Sequence, residues 1–176
     1  MRRAFPWLVA LLLWSTAVLS AGPVQSLRVT VLSTMLADGE ELGEWGFAAL
    51  VEVDGHRLLF DTGAKPDVVR RNAETLRLDL TNVPDLILSH WHSDHVGGFM
   101  ALRDAVRAKN PAALARTHVA EGFFAPRRGT PPGVELNRMI RLRPDYEATG
   151  GTFRVHAGPA ELFPGVWLTG PVPRRH

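Results

Sequence analysis

The chain has 176 residues, of which 45% are hydrophobic and 22% are charged, a balance typical of one globular domain. It contains no cysteine, which excludes a disulfide framework, a thiolate zinc site and a cysteine nucleophile. The net charge of +2 is supplied by Arg2 and Arg3, so the rest of the chain is neutral overall and we expect no nucleic-acid partner.

The first 20 residues have the order of a secretory signal. Two arginines precede an apolar stretch at residues 8–14, and small residues follow at Ala17, Ser20 and Ala21. We predict a signal peptide at residues 1–20, a periplasmic or secreted product, and no stable membrane anchor after cleavage. An uncleaved N-terminal anchor is the alternative, although the apolar stretch is short for a membrane span. The remaining residues, 21–176, form the predicted domain.

Apolar periodicity and turn residues predict the elements of that domain in chain order. Asp54-Gly55 separates two strand patterns and predicts a hairpin. Strands are predicted at residues 27–33, 47–53, 57–60, 85–89, 114–119, 152–156 and 166–169. Helices are predicted at residues 66–76 and 99–109, and a proline- and glycine-rich loop at residues 125–133. Strands that first pair in a hairpin and then alternate with helices predict an α/β (α+β) fold with a mixed sheet.

Four potential metal ligands lie within six residues, directly after the buried strand predicted at residues 85–89. They are His90, His92, Asp94 and His95. Side chains at i and i+2 of an extended segment point the same way, so the first two histidines converge on one cation, and the other two side chains reach a second cation beside it. Zinc accepts imidazole and carboxylate ligands, and iron and manganese also accept them, less selectively. Packing these groups together without a balancing cation has no structural benefit.

The segment His90-x-His92-x-Asp94-His95-x-Gly97-Gly98 resembles the H-x-H-x-D-H signature of the metallo-β-lactamase superfamily. The resemblance implies the αββα sandwich fold, with the two leading histidines on metal one and Asp94 and His95 on metal two. Upstream, residues 59–63 (LFDTG) resemble another motif of that superfamily. By that likeness Asp61 orients ligands without binding metal, and a simple turn-forming aspartate is the alternative.

Residues 117–128 and 168–174 resemble one branch of the superfamily, the dihydropterin–ribofuranosylaminobenzene phosphate synthase-like proteins. His118 lies outside the usual ligand set of that branch, and we interpret it as a strand-end polar residue or as lining of a substrate pocket rather than as a metal ligand. Arg127 and Arg128 either pair with an anionic substrate or are solvated, and solvation is favoured for a loop of this composition.

The superfamily pattern also needs a further histidine on metal one, a bridging aspartate and a last histidine near the C-terminus. The later histidines here, His156 and His176, have no matching context. We therefore expect the N-terminal portion of the sandwich, a domain incomplete at its C-terminus, and poor solubility of residues 21–176 expressed alone.

The function that the resemblance implies is hydrolysis of a small-molecule ester, lactone, amide or phosphoester by a water activated by one or two zinc ions. Asp94 is expected to orient that water as well as to bind metal. Two alternatives are a truncated, inactive metal-binding fragment and a single-iron oxidative enzyme on the same scaffold.

Overall fold

A six-stranded mixed sheet organises residues 23–173, the part of the chain that our computed structural model describes. The predicted signal peptide and His176 lie outside these residues. Its first three strands are antiparallel: β1 (Leu27–Ser33), β2 (Ala48–Val53) and β3 (His56–Phe60). Asp54 and Gly55 have φ of 46° and 84°, the left-handed conformation that a two-residue hairpin turn requires. The predicted hairpin is therefore confirmed.

The second half of the sheet is parallel. β4 (Asp85–Ile87), β5 (Arg116–Ala120) and β6 (Thr152–His156) follow β3 in that spatial order. Helices connect these strands: α1 (Val68–Thr75), α2 (Ser93–Val96), α3 (Phe99–Arg107) and α4 (Met139–Ala148). A separate hairpin, β7 (Ala160–Phe163) and β8 (Val166–Leu168), comes last. Because parallel strands run in one direction, the carboxyl ends of β3 to β6 share one edge of the sheet.

The hydrophobic core lies between one face of the sheet and the helices. Leu59, Leu86 and Val119 on the strands are buried in one cluster with Phe99 of α3 and Tyr146 of α4. The burial of these apolar side chains is the main force that holds the helices on the sheet. On the opposite face, the ring of His56 stacks on Phe163 of β7, with ring centroids 4.4 Å apart.

That opposite face also carries apolar side chains in contact with solvent. On β1, Leu27, Val29 and Val31 are 66%, 55% and 46% exposed. In the described part of the chain, no helix is long and apolar enough to cross a membrane.

An arginine is buried within α3. Arg103 is 1% exposed. Its guanidinium donates hydrogen bonds to the carbonyl oxygens of Pro111, Ala113 and Thr149, and to the Thr149 hydroxyl. These acceptors lie in the α3–β5 and α4–β6 connections, so a single side chain links two loops.

Three elements have no counterpart in the sequence prediction: α2, α4 and β7. Helix α4 contains Pro144, which breaks the ordinary helical pattern. Tertiary contacts hold it instead, because the hydroxyl of Tyr146 donates to the carbonyl oxygen of Leu114 at 2.8 Å and accepts from the hydroxyl of Thr117 at 2.8 Å. The predicted fifth strand also begins two residues late, since Leu114 has a left-handed φ of 51°.

Candidate metal centre

The candidate metal centre lies at the carboxyl edge of the sheet, directly after β4. His90 follows the strand by three residues, and His92 has an extended backbone that precedes the first turn of α2. Asp94 and His95 lie within α2 itself. The short helix turns the chain, so that His90 before this turn and Asp94 and His95 within it come close together.

Three of the four predicted ligands converge. One ligand atom from each of His90, Asp94 and His95 lies within 4.8 Å of the other two. The ring of His92 lies 4.6 Å from that of His90, measured between centroids, and 4.4 Å from the ring of Trp91. His92 is exposed and stands outside the three-residue group. The group thus combines side chains that the sequence pattern divides between two metals, and the assignment to two metals stays a prediction.

Asp61 lies beneath the three-residue group and is fully buried at the end of β3. One carboxylate oxygen accepts a hydrogen bond from the backbone N–H of Ser89 at 2.8 Å. The other accepts from the Ser89 hydroxyl at 2.7 Å and from Nδ1 of His95 at 2.7 Å. Burial raises the pKa of Asp61 above its usual range, and the hydrogen bonds from Ser89 and His95 act in the opposite direction.

These contacts assign the tautomers of two ligands. Because the Asp61 carboxylate accepts, His95 donates from Nδ1 and keeps a lone pair on Nε2. The Ser89 hydroxyl gives its proton to Asp61, so its oxygen accepts from Nδ1 of His90 at 3.0 Å, and Nε2 of His90 also keeps a lone pair. Burial lowers the pKa of His90, as do the neighbouring His95 and His92, which favours the neutral ring. Neutral imidazole is the form that binds metal.

Close backbone packing fixes the position of the loop that carries the ligands. The N–H and hydroxyl of Thr62 donate to the carbonyl oxygen of His95, at 2.8 and 3.0 Å. The N–H of Gly97 donates to the carbonyl oxygen of Gly63 at 2.8 Å. A Cβ atom on Gly97 would lie 1.8 Å from the carbonyl oxygen of Ala64, so glycine is required there. The LFDTG segment and the histidine segment form one hydrogen-bonded unit.

Glu44, which lies between β1 and β2, supports this unit. Its buried carboxylate accepts from the Ser33 hydroxyl at 2.7 Å and from the backbone N–H groups of Ala64 at 3.0 Å and Lys65 at 2.7 Å. Glu44 lies in a segment without regular periodicity, so no signal in the sequence distinguishes it from a solvated glutamate.

Comparison with known proteins agrees with this geometry. The family model of the metallo-beta-lactamase superfamily matches residues 46–172. The chain belongs to the metallo-beta-lactamase superfamily. The predicted fold class is confirmed, because the mixed α/β sheet has structural neighbours of that fold. Members of this superfamily bind divalent metals, and His90, Asp94 and His95 form a possible site for one.

Two relatives resemble most of the chain. A 7,8-dihydropterin-6-methyl-4-(beta-D-ribofuranosyl)-aminobenzene-5'-phosphate synthase of Methanocaldococcus jannaschii is 26% identical over 162 residues, covering 88% of this chain and 54% of that protein. The predicted resemblance to this branch is thereby confirmed. The structure of Tm1679, a metal-dependent hydrolase of the beta-lactamase superfamily, has a TM-score of 0.56 and 26% identity, covering 84% of this chain and 49% of that one. The chain thus spans about half the length of these relatives.

A quorum-quenching N-acyl homoserine lactone lactonase is similar in fold, with a TM-score of 0.51 and 17% identity, over 85% of this chain and 64% of that one. At this identity the likeness supports the superfamily fold and no particular substrate.

A cavity of about 390 Å³ adjoins the metal centre through Ser89. It lies on the face of the sheet opposite the helices. His118 and His156 form part of its wall, so the interpretation of His118 as pocket lining agrees with the structure. Arg127 and Arg128 are exposed and do not line this cavity, in agreement with a solvated loop. Other parts of the wall are apolar and come from Phe60, Ile87, Leu88, Val119, Leu168, Pro171 and Val172.

Proposed function

We propose that this chain is a metal-dependent hydrolase in which His90, His92, Asp94 and His95 bind one or two divalent cations, with zinc as the favoured ion. The convergence of His90, Asp94 and His95, with ligand atoms within 4.8 Å of one another, is the observation that carries the proposal. Two imidazole nitrogens and a carboxylate oxygen match the donor set of catalytic zinc, which also keeps a position open for water.

The residues present fit a divalent cation in their protonation as well as in their position. Both His90 and His95 donate from Nδ1, which leaves Nε2 of each available for a metal. The buried Asp61 holds His95 in that tautomer through a 2.7 Å contact, an arrangement that fixes ring orientation and raises ligand basicity. Asp61 is therefore proposed to orient the ligands without binding metal.

When bound, a divalent cation supplies Lewis-acid activation of water and of the carbonyl or phosphoryl oxygen of the substrate. Asp94 is proposed to accept a hydrogen bond from the attacking water and so to orient it. Its side chain is partly exposed, and its Oδ2 lies 3.6 Å from Nε2 of His95. The cavity beyond Ser89 is proposed to hold the organic part of a small-molecule ester, lactone, amide or phosphoester.

A second candidate is a protein that binds metal without turnover. Within residues 23–173, a single group of three histidine or carboxylate ligands meets the geometry of a metal site, and the chain spans about half the length of its relatives. This candidate and the hydrolase differ in turnover and agree on metal content.

Export is proposed on the order of residues 1–20, and so is cleavage near Ala21 to release a domain of residues 21–176 into the periplasm or medium. N-terminal sequencing of the product from a host that secretes it is the direct measurement. An intact Met1 on soluble cytoplasmic protein would contradict export.

Metal analysis of alanine variants tests the centre. We expect His95→Ala to lose most bound zinc and His92→Ala to lose part of it, because each change removes an imidazole donor. His56→Ala is the matched control, since His56 is exposed and stacks on Phe163 far from the ligand loop in sequence. Elemental analysis that finds zinc unchanged in His95→Ala would refute the proposed centre. Iron in place of zinc, with oxygen-dependent turnover, would favour an oxidative enzyme.

Turnover is measured on ester, lactone and phosphodiester substrates with the metal-loaded protein. Hydrolysis that disappears in His95→Ala and persists in His56→Ala supports the hydrolase. Full metal content without hydrolysis of any of these substrates supports the second candidate.

A further inference from the structure

A second group of titratable side chains lies on the face of the sheet opposite the helices. Asp85, His118 and His156 come from the adjacent strands β4, β5 and β6. Nε2 of His118 lies 3.1 Å from a carboxylate oxygen of Asp85, and Nδ1 of His118 lies 3.0 Å from Nε2 of His156. These residues are distinct from the His90 group, and His118 and His156 border the cavity from its other side.

The protonation state of Asp85 determines which ring nitrogen of His118 carries a proton. Arg116 donates two hydrogen bonds to the Asp85 carboxylate, each 2.7 Å long. Burial favours the neutral acid, yet the hydrogen bonds from His118 and Arg116 outweigh it and hold the pKa of Asp85 at about 2. An ionised carboxylate only accepts hydrogen bonds, so His118 donates from Nε2. Nδ1 of His118 is left with a lone pair directed at His156.

The two facing nitrogens have nearly the separation of ligands on one metal ion. Zinc–imidazole bonds of about 2.0–2.1 Å at a tetrahedral angle place two nitrogens roughly 3.3–3.4 Å apart. The observed separation of 3.0 Å between Nδ1 of His118 and Nε2 of His156 therefore needs to increase by only a few tenths of an ångström for a cation to replace the proton between them. Burial lowers the pKa of His156, and the neighbouring His118 lowers it further, which favours the neutral ring of His156.

The surroundings match those of histidine ligands in metal sites. Such ligands commonly donate their second ring N–H to a carboxylate, which fixes the tautomer, and Asp85 has that position relative to His118. His118 is 8% exposed, so its ring is held in place, whereas His156 is partly exposed at the strand end. The adjoining cavity gives solvent access for the remaining coordination positions.

We propose that His118 and His156 form a second binding site for a divalent cation that favours imidazole ligands, zinc or copper, with Asp85 orienting His118 and water completing the coordination. With two protein ligands, the site binds metal more weakly than a three-ligand centre. It does not depend on the proposed hydrolase activity.

The experiment separates this site from the His90 group. We compare zinc binding, by equilibrium dialysis with elemental analysis, in the full chain, in His90→Ala/His95→Ala, and in that double variant with His118→Ala added. The double variant is expected to keep about one weakly bound equivalent, and the added His118→Ala to lose it. His56→Ala in the same background is the control and should retain that equivalent.

A second variant keeps the test decisive if His118→Ala does not fold. His156→Gln preserves a hydrogen-bond donor toward His118 but removes an imidazole. In the double-variant background, Cu²⁺ is expected to give nitrogen hyperfine coupling in its electron paramagnetic resonance spectrum, and His156→Gln to weaken Cu²⁺ binding at least about tenfold. Zinc and copper binding that is unaffected by either change would overturn the second site. Failure of the His90 centre would instead appear as equal metal content in the full chain and the double variant.

Discussion

Replacement of Asp61 by asparagine isolates the contribution of its negative charge and acceptor oxygens to the metal centre. Asp61 has a left-handed φ of 56°, which asparagine also tolerates, so the backbone is preserved. The carboxylate accepts three hydrogen bonds, two from Ser89 and one from His95. In asparagine one of those oxygens becomes an NH2 group, which faces a donor in either orientation of the amide.

The magnitude follows from these three contacts. The favoured orientation keeps the oxygen that serves the Ser89 hydroxyl and His95, and leaves the N–H of Ser89 opposite an NH2 group. An unsatisfied buried donor costs about 1–3 kcal/mol of folding free energy. Loss of a carboxylate that orients a ligand histidine typically lowers metal affinity about 10–100-fold. We therefore expect Asp61→Asn to weaken zinc binding by that factor and to lower the melting temperature.

The assay is competition for zinc with a chromophoric chelator, together with thermal unfolding in the presence of a chelator. Asp104→Asn is the matched control, because Asp104 is 52% exposed and contacts Arg107 on the surface of α3. An exposed ion pair contributes about 0–1 kcal/mol, so the control should behave as the wild type. Wild-type zinc affinity in Asp61→Asn would refute the orienting role of Asp61.

Three further predictions concern stability and are measured by urea unfolding. Gly97→Ala should destabilise the chain by about 1–3 kcal/mol or more, because the added Cβ clashes with the backbone of Ala64. A Cβ on Gly158 meets nothing within 4 Å, so the control Gly158→Ala should be neutral. Equal stability of the two variants would contradict the close packing of the loop that carries the proposed ligands. The pKa of Asp85 is lowered from 3.8 to about 2, so its ionised form stabilises the fold above about pH 4 and that contribution is lost as pH falls toward 2. This decrease in pKa corresponds to at most ~2.4 kcal/mol of folding free energy, and the 49% exposure of Arg116, the partner of Asp85, reduces it to about 1–2 kcal/mol. If the stability of Asp85→Asn depended on pH between 4 and 2 as the wild type does, this contribution of Asp85 would be contradicted. Arg103→Met should cost about 3–5 kcal/mol because several buried carbonyl groups lose their donor, and a loss below ~1 kcal/mol, the range of surface substitutions, would show that water replaces the guanidinium.

Local patterns were sufficient to predict most of the sheet. The strand at Leu27–Ser33 and the strand at Thr152–His156 have the predicted bounds, because their neighbours are clear turn residues. The hairpin follows from Asp54-Gly55 for the same reason. Helix α4 could not be predicted, since its stability depends on contacts of Tyr146 with residues about thirty positions away in sequence.

The same division applies to the candidate site. His90, Asp94 and His95 were predicted because they lie close together in sequence, and Asp61 because of its motif. His92 lies outside the three-residue group because the chain turns into α2 directly after it. The i and i+2 spacing predicts convergence only where the whole segment is extended. The contact between His118 and His156 joins strands separated by a whole crossover, so strand pairing had to be known first.

The hydrogen bonds between the LFDTG segment and the histidine segment join the proposed metal ligands to the edge of the sheet. Thr62 and Gly63 contact the backbone of His95 and Gly97, while the side chain of Asp61 holds the ring of His95. The positions of the proposed ligands are therefore set by the edge of the sheet. A preorganised site of this kind loses little conformational entropy when metal binds, and a mutation that loosens the 61–63 segment must weaken metal binding even though it removes no ligand.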